Sequence, residues 1–133
     1  MKKIISLALI TLLLAGCASN PKPKLFLGQD WYDNMRVAVE DLGIKCDAWN
    51  VQVPDDGIIN SVTCSKDIIF FGGYAILNLE HEDEKGFMKS MADDAAAEFK
   101  RSSTYASNWM IVAPIPELEK IADAFHSTIV RSN

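Results

Sequence analysis

Five consecutive residues have side chains that can bind a metal ion, and they form the densest group of candidate ligands in the chain. Glu80, His81, Glu82, Asp83 and Glu84 place carboxylates two and three residues apart, and such carboxylates converge on a hard cation where the backbone turns. The same residues suit the first turn of a helix, where negative charge is favoured. Neither the calcium-loop pattern D-x-D-x-D-G nor the zinc pattern H-E-x-x-H occurs. We therefore expect no resident metal or cofactor, and this stretch stays the candidate cation site.

Residue patterns for covalent or acid–base catalysis are sparse. His81 and His126 are the only histidines, and each is interpreted as an exposed polar residue. No G-x-S-x-G elbow marks a serine nucleophile, and no glycine-rich phosphate loop is present. The sequence predicts no catalytic residue and a protein that is not an enzyme. The alternative is a small hydrolase or cation-binding protein that uses residues 80–84.

The first seventeen residues have the organisation of an export signal. Lys2 and Lys3 give a positive start, and residues 4–14 are apolar except for Ser6 and Thr11. A charged head, an apolar middle of about ten residues and small residues at the cut are typical of a secretory signal peptide. The apolar run is too short to span a membrane, which takes about twenty residues.

The end of this segment, Leu14-Ala15-Gly16-Cys17, resembles the lipobox of bacterial lipoprotein precursors. The resemblance implies cleavage after Gly16 and lipid attached to Cys17, and it covers the export segment alone. By the same resemblance, Ala18 in place of aspartate implies sorting to the outer membrane, with the inner membrane as the alternative. We therefore divide the chain into a cleaved signal peptide (1–16), a lipidated cysteine with an extended, Pro-containing tether (17–28) and one globular domain (29–133).

The remaining cysteines, Cys46 and Cys64, form an even pair in an oxidising compartment once Cys17 carries lipid. We expect a disulfide between them; two free thiols are the alternative. Neither cysteine belongs to a C-x-x-C motif, which redox and metal-binding pairs usually need.

The charge of the chain restricts its partners. The formal net charge of the precursor is −5, and cleavage removes Lys2 and Lys3, so the side chains of the mature form carry −7. This acidity disfavours nucleic acid as a partner, since nucleic-acid binding needs a basic surface. It also means that the lipid must supply the membrane attachment.

Three helices are predicted from apolar residues at helical spacing. The first covers residues 31–42 after Asp30 as N-cap, and the second covers residues 83–100 with Phe99 on its apolar stripe. The third begins near Pro116, and its stripe continues to Ile129.

The strand predictions begin with a hairpin. Alternation over residues 49–53 predicts a half-buried strand, a turn follows at 54–57, and the chain returns as a strand over 58–64. Pairing Val51 with Ile59 in this hairpin places Cys46 opposite Cys64. Further strands are predicted at residues 68–71, 74–79 and 105–113, the first of them in the middle of the sheet.

These elements predict an α+β fold: a small two-layer domain in which about three helices pack on one face of a mostly antiparallel sheet of three to five strands. Tyr32 and Tyr105 lie off the apolar stripes and are the candidate interface residues, since exposed aromatic side chains dominate protein interfaces. The leading hypothesis is a non-enzymatic, periplasm-facing accessory lipoprotein that binds another envelope protein. An immunity or exclusion protein against a toxin or phage factor is the alternative, because acidity suits a basic partner.

Overall fold

The computed structural model describes residues 21–26, 30–53, 60–72 and 81–133. Within these residues the chain forms three helices and six strands. In chain order the elements are α1 (Trp31–Glu40), β1 (Asn50–Gln52), β2 (Asn60–Ser65), β3 (Ile68–Gly72), α2 (His81–Ala97), β4 (Ser103–Tyr105), β5 (Trp109–Val112), α3 (Ile115–Phe125) and β6 (Thr128–Val130).

The six strands form one sheet in the order β1-β2-β3-β5-β4-β6, and every neighbouring pair is antiparallel. The predicted α+β class, the three helices and the mostly antiparallel sheet are confirmed, with six strands where three to five were expected. The apolar strand β3 lies inside the sheet between β2 and β5, as predicted. Its alternate residues Ile68 and Phe70 are buried on one face.

Helices α1 and α3 form because their apolar residues recur on one side. Trp31, Met35 and Val39, four residues apart, are the buried side of α1, and Asp30 occupies its N-cap without a side-chain hydrogen bond. The helix ends at Glu40, two residues earlier than predicted, and Gly43 follows with a φ of 81°. A left-handed backbone of this kind favours glycine, which has no Cβ.

Helix α3 ends sooner than its apolar stripe indicated. Pro114 has the extended N-cap conformation, and His126 closes the other end with a φ of 54°. Ile129, which was predicted to continue the helix, instead lies in β6 and is paired with Thr104 of β4. Apolar spacing alone does not decide whether Ile129 continues the helix or begins a strand, because isoleucine is β-branched and fits a strand equally well.

The helices cover both faces of the sheet. In β5, Trp109 and Ile111 belong to the core formed with α1 and α3, whereas Met110 and Val112 belong to the core formed with α2. The domain therefore has helices α1 and α3 on one face and α2 on the other. This corrects the predicted two-layer arrangement with all helices on one face.

The first hairpin has a different register from the predicted one. Val51 pairs with Val62, three residues beyond the predicted partner Ile59. All of β1, at one edge of the sheet, is exposed, whereas a half-buried strand was expected. The predicted turn at 54–57 and the predicted strand at 74–79 lie outside the described residues.

Two elements in the second half of the chain also differ from the predictions. The single strand predicted over 105–113 is a hairpin, β4 and β5, closed by a hydrogen bond in which the Ala106 N–H donates to the Trp109 carbonyl (3.0 Å). Helix α2 ends at Ala97, so Phe99 lies beyond it and is exposed instead of belonging to its buried stripe.

Candidate functional site

An open apolar groove lies between the C-terminal half of α2 and strands β3 and β5 of the sheet. Its volume is about 600 Å³, within the range of typical ligand sites. The residues that line it are mostly apolar: Ile69, Phe71, Met91, Ala95, Phe99, Met110 and Val112, together with Asp94 and Arg101. We call this feature the apolar groove.

Strand alternation and helical spacing bring these side chains together. Ile69 is paired with Val112 and Phe71 with Met110, so both pairs lie on the α2 face of the sheet. Met91 lies one helical turn from Ala95 on the facing side of α2. The two methionines are flexible and polarisable, which allows the groove to adapt to different apolar shapes.

One rim of the apolar groove is formed where the chain leaves α2. Lys100 has a left-handed backbone with a φ of 52°, and the Arg101 N–H donates to the Ala95 carbonyl (2.9 Å). This turn leaves Phe99 71% exposed. The Arg101 guanidinium lies 3.7 Å from the Asp67 carboxylate, in the turn between β2 and β3. The groove can therefore hold an apolar group, with charged atoms at its edge to orient it.

The outer surface of α2 is solvated and charged. Lys89 donates a hydrogen bond to the Asp93 carboxylate (2.6 Å), and this bond raises the pKa of Lys89. Both side chains are exposed, so the pair contributes little to stability.

The opposite face of the sheet holds the N-terminal segment in place. Three hydrogen bonds fix it: the Lys24 N–H donates to the Phe125 carbonyl (2.9 Å), Trp109 Nε1–H to the Lys24 carbonyl (2.8 Å) and the Asn108 amide to the Phe26 carbonyl (2.7 Å). We call this arrangement, Lys24–Phe26 held by Asn108, Trp109 and Phe125, the N-terminal clamp.

Aromatic packing reinforces the N-terminal clamp. The Phe26 ring is 6% exposed and meets Trp109 and Phe125 edge-on, with centroids 5.9 and 5.6 Å away. The Lys24 ammonium lies 5.3 Å from the Phe26 centroid and 5.1 Å from that of Phe125. The folded domain thus includes Phe26, which corrects the predicted boundary between the tether and a domain starting at residue 29.

The two candidate interface tyrosines have different environments. Tyr105 is 6% exposed and belongs to the core beneath α2, so it is not the exposed residue that was predicted. Tyr32 is half-buried between Trp31 (5.8 Å between centroids) and Trp49 (6.4 Å). The Arg36 guanidinium lies 5.1 Å from the centroid of Trp49 on the same surface. Tyr32 therefore remains a candidate interface residue.

The predicted disulfide between Cys46 and Cys64 is present, with 4.4 Å between the Cα atoms. Cys46 lies before β1 and outside the regular ladder, so the two cysteines are not paired across the hairpin as the predicted register required. The Ala48 N–H donates to the Cys64 carbonyl (3.0 Å) beside the bridge. The disulfide therefore fastens the segment between α1 and β1 to Cys64, a buried position of β2.

The candidate cation site is only partly described. Glu80 lies outside the described residues, and His81, Glu82, Asp83 and Glu84 form the start of α2, with side chains that the structure does not describe. Among the side chains it does describe, no three His, Cys, Asp or Glu residues lie close enough to hold a metal ion. The prediction for residues 80–84 stays a prediction. His126 is exposed at the end of α3, as expected.

The sequence interpretation did not identify the apolar groove. Met91 and Phe99 were placed on the apolar stripe of the second predicted helix, and residues 105–113 were predicted as one strand. One signal in the sequence pointed to the groove: the uninterrupted apolar run from Trp109 to Ala113 indicates a strand with apolar side chains on both faces. Helix α2 covers only part of the second face, and the uncovered part is the groove.

The segment that precedes the described residues is identified by comparison with known proteins. Residues 1–18 match the family model of the prokaryotic membrane lipoprotein lipid attachment site, which includes Cys17. No curated protein and no solved structure matches the chain. None of the helices that the structure describes is long and apolar enough to cross a membrane. The chain is a bacterial lipoprotein precursor, and lipid anchors the mature protein to a membrane.

Proposed function

We propose that the mature chain is a non-enzymatic accessory lipoprotein of the outer membrane that faces the periplasm and binds another envelope protein through the apolar groove. The observation that carries the proposal is the groove itself, with Phe99 71% exposed at its rim. The groove lies on the face of the sheet opposite the N-terminal clamp. An anchored domain therefore keeps the groove accessible to a partner.

The groove has the properties of a protein-binding surface. Methionine and aromatic residues are enriched at interfaces, and Met91, Met110, Phe71 and Phe99 line this one. Covering the exposed part of Phe99 contributes about 2 kcal/mol. The Arg101–Asp67 pair at the edge gives the surface polarity, which favours one orientation of the bound segment.

The chemistry of the lining supports binding over catalysis. The described residues that line the groove include one carboxylate, Asp94, and one guanidinium, Arg101, but no serine, cysteine or histidine. Arg101 is already paired with Asp67 (3.7 Å). In the described lining of the groove, neither Asp94 nor Arg101 is accompanied by a nucleophile, which acyl-transfer and hydrolytic sites combine with an acid or base.

The choice of membrane rests on Ala18, which follows the predicted lipid-bearing Cys17. Separation of inner and outer membranes by density tests this part of the proposal. We expect the protein in the outer-membrane fraction, and Ala18→Asp is expected to move it to the inner membrane. Recovery of the unaltered protein with the inner membrane would contradict the assignment.

The partner is tested by photo-crosslinking in living cells. A photoreactive phenylalanine analogue replaces Phe99, which tolerates it because the side chain is exposed. The matched control carries the analogue at Lys120, an exposed position on α3. The same pair is repeated with Cys17→Ser, which removes the predicted lipid acceptor.

We expect one discrete adduct from position 99 that is absent from position 120 and is lost with Cys17→Ser. Equal labelling at both positions, or no adduct at 99, would contradict the role of the groove. An adduct that forms only when cells are challenged with a basic toxin or a phage, and that weakens steeply with salt, would instead favour the immunity or exclusion hypothesis.

A further inference from the structure

A second surface lies beside the point where the tether leaves the domain. Lys24, Leu25 and residues of α1 line a shallow depression of about 390 Å³. Leu25 is 39% exposed and Val37 is 59% exposed, and half-buried Ala38 lies beside them. We call Leu25, Val37 and Ala38 the exit patch. It lies on the α1 side of the sheet, opposite the apolar groove.

The N-terminal clamp fixes where the anchor begins. Lys24 is held by hydrogen bonds to its backbone, and Cys17 lies seven residue steps before it in the sequence. A fully extended chain spans at most about 3.6 Å per residue, so the tether reaches at most about 25 Å. A compact domain of this size is about 34 Å across. The face opposite the exit point therefore cannot reach the bilayer, whereas the exit side can.

We infer that the exit patch rests on the lipid bilayer, in the headgroup region next to the anchor. Apolar side chains at such a surface enter the boundary between headgroups and acyl chains by about 5–10 Å. Lys22 is exposed two residues before Lys24, whose ammonium packs against the Phe26 and Phe125 rings, and Asp41 lines the depression. Lysines at a membrane surface place their ammonium groups among the headgroups.

Two observations favour lipid over a protein as the occupant. The exit patch contains two exposed apolar side chains, Leu25 and Val37, whereas a stable protein interface covers about 800 Å² on each partner. The anchor also supplies a high effective concentration, so a small patch is enough to hold one orientation. The domain then presents its opposite face, with the apolar groove, away from the membrane.

The test uses the lipidated mature protein reconstituted in vesicles of phosphatidylethanolamine and phosphatidylglycerol. Val37→Cys introduces the thiol for a fluorescent label, because Cys46 and Cys64 are bridged and Cys17 is the predicted lipid carrier. Ser90→Cys, exposed on α2 at the opposite face, is the matched control. Phospholipids with a nitroxide near the headgroup quench a label that lies at the surface.

We expect quenching at position 37 to exceed that at position 90 by roughly twofold or more. The nitroxide lies near the lipid headgroups, so it quenches a label in the headgroup region and not one on the far side of the domain. Trp109→Phe, which removes the hydrogen bond to the Lys24 carbonyl, is expected to reduce this difference. Equal quenching at the two positions would overturn the inference. The inference would also be overturned if the label at position 37 became shielded only after outer-membrane proteins were added to the vesicles, since the patch would then be covered by a protein.

Discussion

Replacing Phe26 by alanine tests whether the segment next to the tether belongs to the folded domain. The ring is 6% exposed, and burying it contributes about 2–3 kcal/mol. Its edge contacts with Trp109 and Phe125 each add about 0.5–1.5 kcal/mol. The segment is close to the start of the domain, so it can detach instead of leaving a cavity, which limits the loss. We expect Phe26→Ala to lower the free energy of unfolding by about 3 kcal/mol.

The measurement is urea unfolding of a soluble form that carries Cys17→Ser, followed by tryptophan fluorescence. Trp109 is a suitable reporter because it is fully buried and contacts the Phe26 ring at a centroid distance of 5.9 Å. Leu25→Ala is the matched control, since Leu25 is 39% exposed and its truncation is expected to cost less than about 1 kcal/mol. In thermal unfolding, a loss of 3 kcal/mol corresponds to a fall in Tm of roughly 15 °C.

Equal effects of the two substitutions would refute the reasoning. If Phe26→Ala cost no more than Leu25→Ala, the N-terminal clamp would contribute nothing to folding. The first fixed residue would then lie more than seven steps after Cys17, and the orientation inferred for the exit patch would lose its basis.

Three further perturbations test other features of the fold. Reducing the Cys46–Cys64 bond, or replacing both cysteines by alanine, is expected to cost about 3 kcal/mol in denaturant unfolding, since the bond links residues 18 apart; unchanged stability with reductant would contradict this. Gly72→Ala is expected to cost about 1–3 kcal/mol, because a Cβ there lies 2.8 Å from the Asn108 carbonyl oxygen. Gly86→Ala, in α2 with no atom within 4 Å of the added Cβ, is expected to stabilise by about 0.5–1 kcal/mol; the same sign for both glycines would contradict the packing described for Gly72.

Elements with one strong local pattern were predicted well. The stripe of Trp31, Met35 and Val39 is the buried side of α1, and the short apolar run beginning at Ile68 is an inner strand. Both predictions depend only on residues close in sequence, because the spacing of apolar residues indicates which side of a helix or strand is buried. The Cys46–Cys64 bond was also predicted, because export leaves one even pair of thiols.

Features that depend on distant parts of the chain were predicted poorly. The register of Val51 was wrong by three residues, because β1 is exposed throughout and no buried face specifies how it pairs with β2. Tyr105 was expected at the surface, yet β4 lies beneath α2 and buries it. No local pattern shows that α2 packs on the face opposite α1 and α3.

The apolar groove is also a feature that depends on distant parts of the chain. The apolar groove combines residues of β3, α2 and β5, which the topology brings together across about forty positions of sequence. The exposure of Phe99 follows from the left-handed Lys100 that ends the helical run. A lysine has no sequence signature for that conformation, unlike glycine, so the end of α2 could not be placed from spacing.

The N-terminal clamp also sets an order of events during folding. The segment Lys24–Phe26 is synthesised before the groups that hold it, which belong to the start of β5 and the end of α3. The clamp cannot close until Phe125, 101 residues after Lys24, is also in place. The lipid-proximal segment is therefore the first part of the domain to be made and among the last to be fixed. Before the clamp closes, Lys24–Phe26 is not yet held by β5 and α3, so the incompletely folded domain can move farther from the bilayer than the folded domain can.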